Sequence, residues 1–324
     1  MTVSRRALLA TGLALAIAAP AAAQSDFPNR PIKLLVPYSA GGGTDAIARL
    51  VAQGVGERLG KTMVVENNGS AGGNVAVAQA AGAPADGYTV LMANQGPMTV
   101  NPHLFRSVKV DPLTSFDPLT LIAAAPLVVV VPKSSQFNTF KEFVDFVKAN
   151  PGKLNYGSAG NGSASHVATL LLNHVVGLQT QHLPYPGAGP ALNDLVGAQT
   201  QFMVTTIPSV MGLIEGGQVK ALAVTGKNPV PQLKNVPTVA SLGFPDYEAT
   251  AWYGFVVPKG TPKDIADKLR TAIIDTIKSD LIKSRLANEG ADPIGSAPAE
   301  FAEMMAKESA RWKTVIAASG FKLN

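Results

Sequence analysis

The chain has 324 residues with 46% hydrophobic and 15% charged side chains and a formal charge of +5, a composition that excludes a disordered polymer and fits a well-buried globular protein. It has no cysteine, which excludes disulfides, a lipid-anchored cysteine, thiolate metal sites and a cysteine nucleophile. The basic residues form no block, a poor footprint for nucleic acid.

Residues 1–23 read as a cleavable secretory signal. Arg5 and Arg6 precede an apolar run from Ala7 to Ala19, too short to span a bilayer, and the small residues Ala21-Ala22-Ala23 place cleavage after Ala23. Ser4-Arg5-Arg6 loosely resembles a twin-arginine signal, and the export route stays open. Removing Arg5 and Arg6 from 27 basic residues leaves 25 against 22 acidic ones, a mature charge of +3. The remaining length exceeds what one core usually serves, so two lobes are expected.

From Pro31, short β-rich runs alternate with helical patterns: Ile32 to Val36, a helix over Thr44 to Leu59, Met63 to Glu66, a helix near Val75 to Ala81, then Tyr88 to Ala93. A second series begins with a strand at Leu127 to Val131 and a helix from Thr139 to Ala149 stopped by Pro151-Gly152. It continues with Leu154 to Gly157, a helix from Ser163 to Val176, His182 to Pro184, a helix from Pro190 to Val196, and Gln201 to Val204. Such alternation implies parallel strands with crossover helices, in two α/β units laid end to end. After Tyr253 to Val257 the chain turns helical over Pro262 to Ser279, Asp280 to Glu289 and Pro298 to Ala318, with both prolines suited to a first turn. This last quarter has too few strands for a third domain and is expected to return to the first lobe. The expected organisation is residues 24–126 with 250–324 as lobe 1 and 127–249 as lobe 2, with two crossings forming a hinge.

The segment Ser39-Ala40-Gly41-Gly42-Gly43-Thr44-Asp45 leaves a strand and enters a helix, with Thr44 or Asp45 able to cap the first turn. Three glycines let backbone N–H groups face an anion at the positive end of the helix dipole. No lysine follows as in a P-loop, and the dinucleotide fingerprint is missing, so nucleotide binding is disfavoured. Asn68 to Asn74 is a second glycine-rich turn, read as neighbouring wall. In the other lobe, Ser158-Ala159-Gly160-Asn161-Gly162-Ser163 repeats the strand, glycine loop and helix arrangement, and two opposed helix N-termini suit a dianion. A nucleophile elbow needs glycine two residues before the serine, where Ser158 has Tyr156 and Ser163 has Asn161, and the four histidines show no metal spacing. Neither a catalytic group, a metal nor a cofactor is expected.

Across nearly the whole mature chain the sequence resembles the periplasmic binding proteins of tripartite tricarboxylate transporters, the Bug family. The resemblance rests on a dozen segments in order, among them Pro31-Ile32-Lys33-Leu34-Leu35-Val36-Pro37-Tyr38 with Gly41-Gly42-Gly43-Thr44-Asp45, Asp86-Gly87-Tyr88-Thr89-Val90-Leu91, Asn150-Pro151-Gly152-Lys153-Leu154, Tyr156-Gly157-Ser158-Ala159-Gly160, Trp252-Tyr253-Gly254 and Pro258-Lys259-Gly260-Thr261-Pro262. It implies a two-lobe, type II periplasmic-binding-protein fold with the ligand cleft between lobes, and a carboxylate held by backbone amides, hydroxyls and waters without a buried arginine. The matching positions are Tyr38, Ser39, Ala40, Gly41, Gly42, Thr44 and Asp45 on the first lobe and Ser158, Ala159, Gly160, Asn161 and Ser163 on the second. Asn94 and Gln95 lie in a third ligand-facing turn, where Gln95 is expected to donate to an oxygen. Tyr185 offers an aromatic face in a fourth. Where family members commonly carry aspartate, this chain has Thr205-Thr206, which argues against a ligand ammonium and for an amine-free carboxylate.

The expected protein is a monomeric periplasmic receptor, not an enzyme, that delivers a small organic carboxylate, aliphatic or aromatic, to integral-membrane transporter subunits. A ligand sensor for a signalling receptor would share every cleft residue, and a small-acid hydrolase using the same cleft is the weaker rival.

Overall fold

The computed structural model describes residues 26–319, so the expected signal segment lies outside the described residues. Strand β1 (Ile32–Val36) feeds α1 (Gly43–Leu59), β2 (Met63–Asn67), α2 (Asn74–Ala81) and β3 (Thr89–Asn94), then an irregular helical turn over 96–104. Strand β4 (Phe116–Pro132) leads to α3 (Phe140–Ala149), β5 (Asn155–Ser158), α4 (Ala164–Val176), β6 (Gln181–Pro184), α5 (Ala188–Val196), β7 (Phe202–Thr206), α6 (Ile207–Glu215) and β8 (Val219–Val224). Strand β9 (Thr250–Pro258), α7 (Lys263–Lys278), α8 (Asp280–Asn288), the short β10 (Asp292–Pro293) and α9 (Pro298–Ser319) complete the chain.

The strands run in the order β2-β1-β3-β9-β4-β7-β5-β6, with β8 and β10 also on β4. Within each half the βαβ units are parallel, as the alternation requires. The expectation of parallel strands fails in the middle, where β9 lies antiparallel to both β3 and β4 and β4 lies antiparallel to β7 and β8. Strand β4 is longer than expected because Phe116 to Pro126 also pairs, against β9, before Leu127 to Pro132 passes to β7 and β8. Register shifts beside Pro118 absorb the residue that cannot donate to the ladder. Helix α6 and strand β8 were not expected, since Pro208 and Gly212 hide the short helical pattern.

Amphipathic spacing fixes the helices. Phe140, Phe143, Val144 and Val147 fall on one buried face of α3, started by a capping box in which Glu142 N–H donates to Thr139 Oγ1 at 3.1 Å and the Glu142 carboxylate accepts the Thr139 N–H. Helix α7 buries Leu269, Ala272, Ile273 and Ile277 and lies against α1, where a side chain at Gly54 would strike Thr276. Helix α9 covers β9 and β4: Phe301 sits so close over Gly254 that a Cβ there would be 2.3 Å from the ring, and its edge meets Trp252. Each such fully buried Leu, Ile or Phe contributes about 1.5–3 kcal/mol over leaving it exposed.

The two chain crossings between sheet halves are tied together by Thr225. Its buried hydroxyl accepts the Leu127 N–H at 2.7 Å and lies within donor reach of Leu127 O at 3.0 Å and Ala249 O at 2.7 Å. Thr225→Val leaves that N–H buried and unpaired, and urea unfolding is expected to show a loss of about 1–3 kcal/mol, with Thr225→Ser retaining most of it. A valine variant as stable as the parent would remove this tie from the account.

Candidate functional site

The parallel strands of the two halves, β1, β2 and β3 in one and β5, β6 and β7 in the other, run in opposite directions because three antiparallel pairings separate them, and their carboxyl ends face one another. Crevices outside the carboxyl ends of parallel strands are where open α/β sheets place ligands. The loops leaving these strands run directly into helices, so the first turns of α1 (Gly43, Thr44), α4 (Ala164, Ser165), α5 (Ala188) and α6 (Thr206, Ser209) surround one cavity, together with Gln95-Gly96 after β3. The cavity is partly open, with a volume of ≈ 40 Å³, room for a few waters at about 10–15 Å³ each.

The cavity is small because the halves touch. Ser39 N–H donates to Pro186 O at 3.0 Å, and Gly43 N–H donates to Ser209 Oγ at 2.8 Å. Ser209 Oγ in turn lies 2.7 Å from Thr206 Oγ1. A Cβ on Gly43 would stand 2.8 Å from Ser209 Oγ and 2.9 Å from its backbone nitrogen, and one on Gly69 would stand 2.0 Å from Pro186 O. Glycine here serves close approach between the halves, in addition to presenting amides.

No lysine, arginine, aspartate or glutamate lines the cavity. Its polarity comes from helix ends. Helices α1, α5 and α6 begin at Gly42, Gly187 and Thr206 without a side-chain cap from the N-cap residue, so apart from Gly43 N–H, which Ser209 Oγ accepts, their first-turn N–H groups are open to an outside acceptor. Only α4 is capped, by Ser163 Oγ accepting the His166 N–H at 3.3 Å. Two phenols add donors. Burial pushes the Tyr38 hydroxyl far above its ordinary range, with Tyr253 adding to the effect, and pushes Tyr253 up to about 12, an effect that Thr206 slightly offsets. Both stay protonated at physiological pH.

Of the expected ligand-facing residues, Tyr38, Ser39, Gly42, Thr44, Asn94, Gln95, Ala159, Ser163 and Thr205 line this cavity. The others stand outside its wall, each for a visible reason. Asp45 does not cap with a free carboxylate: it accepts Gly41 N–H at 3.0 Å, Arg49 Nε at 3.1 Å and Asn67 Nδ2 at 2.9 Å. Burial opposes its ionisation, but these donors outweigh it and hold the carboxyl below its usual range. Gly41 thereby spends its amide, and Ala40 is exposed. Ser158 Oγ turns to His182 Nε2 at 2.6 Å and accepts Gly160 N–H at 3.1 Å, which closes the second loop on itself. Asn161 meets Gly72 across the halves, and Tyr185 donates to Asp194 Oδ2 at 2.7 Å.

Sequence reasoning missed Gly43, Gly96, Ala164, Ser165, Ala188, Thr206 and Ser209 as wall, although Gly43, Gly96 and Thr206 lie within segments it had singled out. It also missed Ala251, Trp252 and Tyr253, which reach the cavity because β9 inserts beside β3 and sets Tyr253 opposite Asn94. The Gln95 amide is used differently from expectation. Its Nε2 donates to Glu308 on α9 at 2.5 Å, and Asn94 Nδ2 donates to Trp252 O at 3.2 Å.

The sequence profile described as the tripartite tricarboxylate transporter family receptor matches residues 47–321. Protein BugT of Bordetella pertussis is 32% identical over 308 residues, covering 95% of this chain and 94% of BugT. Among solved structures, Rpa4515 of R. palustris with adipate superposes with a TM-score of 0.88 at 33% identity, covering 92% of this chain and 99% of that one. MatC of Rhodopseudomonas palustris with bound malate gives a TM-score of 0.85 at 31% identity, with coverages of 90% and 100%.

Beneath the second loop, His166 and His182 stack at 4.1 Å with 11° between planes, and Tyr156 stacks on the far side of His182 at 4.8 Å. His166 Nδ1 accepts the Gly162 N–H at 3.0 Å. Burial, reinforced by His182, pulls His166 down to about 3, and burial pulls His182 down to about 4. Both rings are therefore neutral in the fold while the unfolded chain protonates near 6.5, so their contribution to stability is complete above pH 6.5 and is lost as pH falls towards 4. His166→Asn keeps an acceptor for Gly162, and its melting temperature should fall less than the parent's between pH 7 and 4.5. Equal falls in both would contradict this assignment.

Proposed function

The chain belongs to the tripartite tricarboxylate transporter family of receptors, and from that membership we propose that it captures a small organic carboxylate in the periplasm and delivers it to integral-membrane transporter subunits. The observation that carries this reading is the ring of uncapped helix N-termini around a cavity without any ionisable carboxylate, ammonium or guanidinium in its wall. Such a site favours an anion through partial positive charge and directed N–H groups. The relatives solved with adipate and malate support a carboxylate as that anion. An export signal over residues 1–23 fits the periplasmic location, and no helix among the described residues is long and apolar enough to cross a membrane.

The lobe reading assigns residues 24–126 with 250–324 to one lobe and 127–249 to the other, with opening at the crossings tied by Thr225. Ligand bridging the helix ends of both lobes would favour the closed arrangement over an open one. A catalytic role gains no support from the serine–histidine pair: Ser158 is fully buried, stands behind the cavity wall, and its partner His182 stacks on another imidazole rather than meeting a carboxylate.

A thermal-shift screen of organic acids tests the proposal, because a ligand at a hundred times its Kd stabilises by about 2.7 kcal/mol. Unsubstituted and substituted diacids are expected to raise the melting temperature, whereas carboxamide analogues are not. Stabilisation by none of the acids would defeat the receptor reading. Gly43→Val adds bulk where the halves meet, a strain of about 1–3 kcal/mol on closure. Calorimetry should show roughly a five- to hundredfold weaker Kd, and unchanged affinity would show that this contact is not part of the bound state.

A further inference from the structure

The Asn94–Gln95 corner presents acceptors where a carboxylate site would be expected to present donors. Both carboxamide NH2 groups are turned into the wall, Asn94 Nδ2 to Trp252 O and Gln95 Nε2 to Glu308 Oε1. These orientations are chemically fixed, since a flipped amide would set its oxygen against a carbonyl or carboxylate oxygen. Glu308 is itself held by Thr99 Oγ1 at 2.8 Å and Trp252 Nε1 at 2.8 Å, so it is committed to accepting from the wall. Asn94 is 5% exposed and lines the cavity, and its Oδ1 is buried without a partner. Opposite it in register is Tyr253, 1% exposed and also a lining residue, whose buried hydroxyl has Thr206 beside it but no partner in full hydrogen-bond geometry. Register partners in an antiparallel pair project from the same sheet face.

An unpaired buried acceptor and a buried phenol opposite it in register match one ligand group well. A carboxylate would bring two more acceptors against Asn94 Oδ1. An ammonium would bring a charge that no lining acid offsets, because Asp45 is occupied by Gly41, Arg49 and Asn67 and Glu308 lies behind Gln95. A hydroxyl can donate to Asn94 Oδ1 and accept from the Tyr253 phenol together, and so satisfies both groups.

We infer that Asn94 and Tyr253 form a subsite for a ligand hydroxyl, and that the receptor selects hydroxy-carboxylates over unsubstituted carboxylates of the same length. This rests on the carboxylate-receptor reading above, with the helix N-termini holding the carboxylate groups and this corner reading the substituent.

The test compares pairs of diacids by calorimetry: succinate with malate, and adipate with 2-hydroxyadipate, with aspartate as the ammonium counterpart. In the pair whose length the cleft accepts, the hydroxy acid is expected to bind about tenfold more tightly than its parent, the worth of roughly one well-placed hydrogen bond, and more tightly than aspartate. Tyr253→Phe removes only the hydroxyl and Asn94→Leu only the amide, and in each variant the ratio of hydroxy acid to parent should collapse towards one. A parent diacid or aspartate that binds as tightly as the hydroxy acid overturns the inference, as does a ratio untouched by both variants. Failure of every acid to bind would instead sink the receptor reading, and this inference with it.

Discussion

Contact between main chains across the cleft is the constraint on which the rest of the site depends. Ser39 N–H reaches Pro186 O and Gly43 N–H reaches Ser209 Oγ only because Gly43 and Gly69 carry no side chain at the crossing points. That approach brings helix N-termini from opposite halves of the sheet around one cavity. It also explains why the wall is largely glycine, alanine, serine and threonine, with its larger residues Tyr38, Asn94, Gln95, Trp252 and Tyr253 confined to one half.

Charge is arranged around this constraint and kept out of the cavity. Asp45 is ionised but neutralised by Arg49 and by N–H donors, and Glu308 accepts three donors behind Gln95 and Trp252. Both carboxylates position wall groups. An anion entering the cleft meets partial charges and neutral donors, each worth less than a buried ion pair but free of the desolvation cost that such a pair carries. The stacked His166 and His182 serve the second loop in a similar way, as neutral supports that fix Gly162 and Ser158.

Much of this was legible in the sequence. Strand β1 and helix α1 follow from a buried apolar run, a glycine turn and a period of 3.6, and the pairing of two glycine loops follows from their repeated strand-to-helix context. What escaped depended on partners distant in the chain. Ser158 looks like a ligand donor until His182, 24 residues on, is seen to take its hydroxyl. Gln95 looks like a donor until Glu308, 213 residues on, takes its amide. Trp252 and Tyr253 become wall only because β9 enters the sheet antiparallel between β3 and β4, a topology that alternating strand and helix patterns do not reveal.

The central claim is that the two halves separate and close over a carboxylate through these main-chain contacts. Small-angle X-ray scattering of the mature chain, with and without a saturating diacid, addresses it most directly. The account expects the radius of gyration to fall on ligand addition as an open population closes, and it expects Gly43→Val to blunt that fall. A radius that stays constant through saturating binding would contradict it.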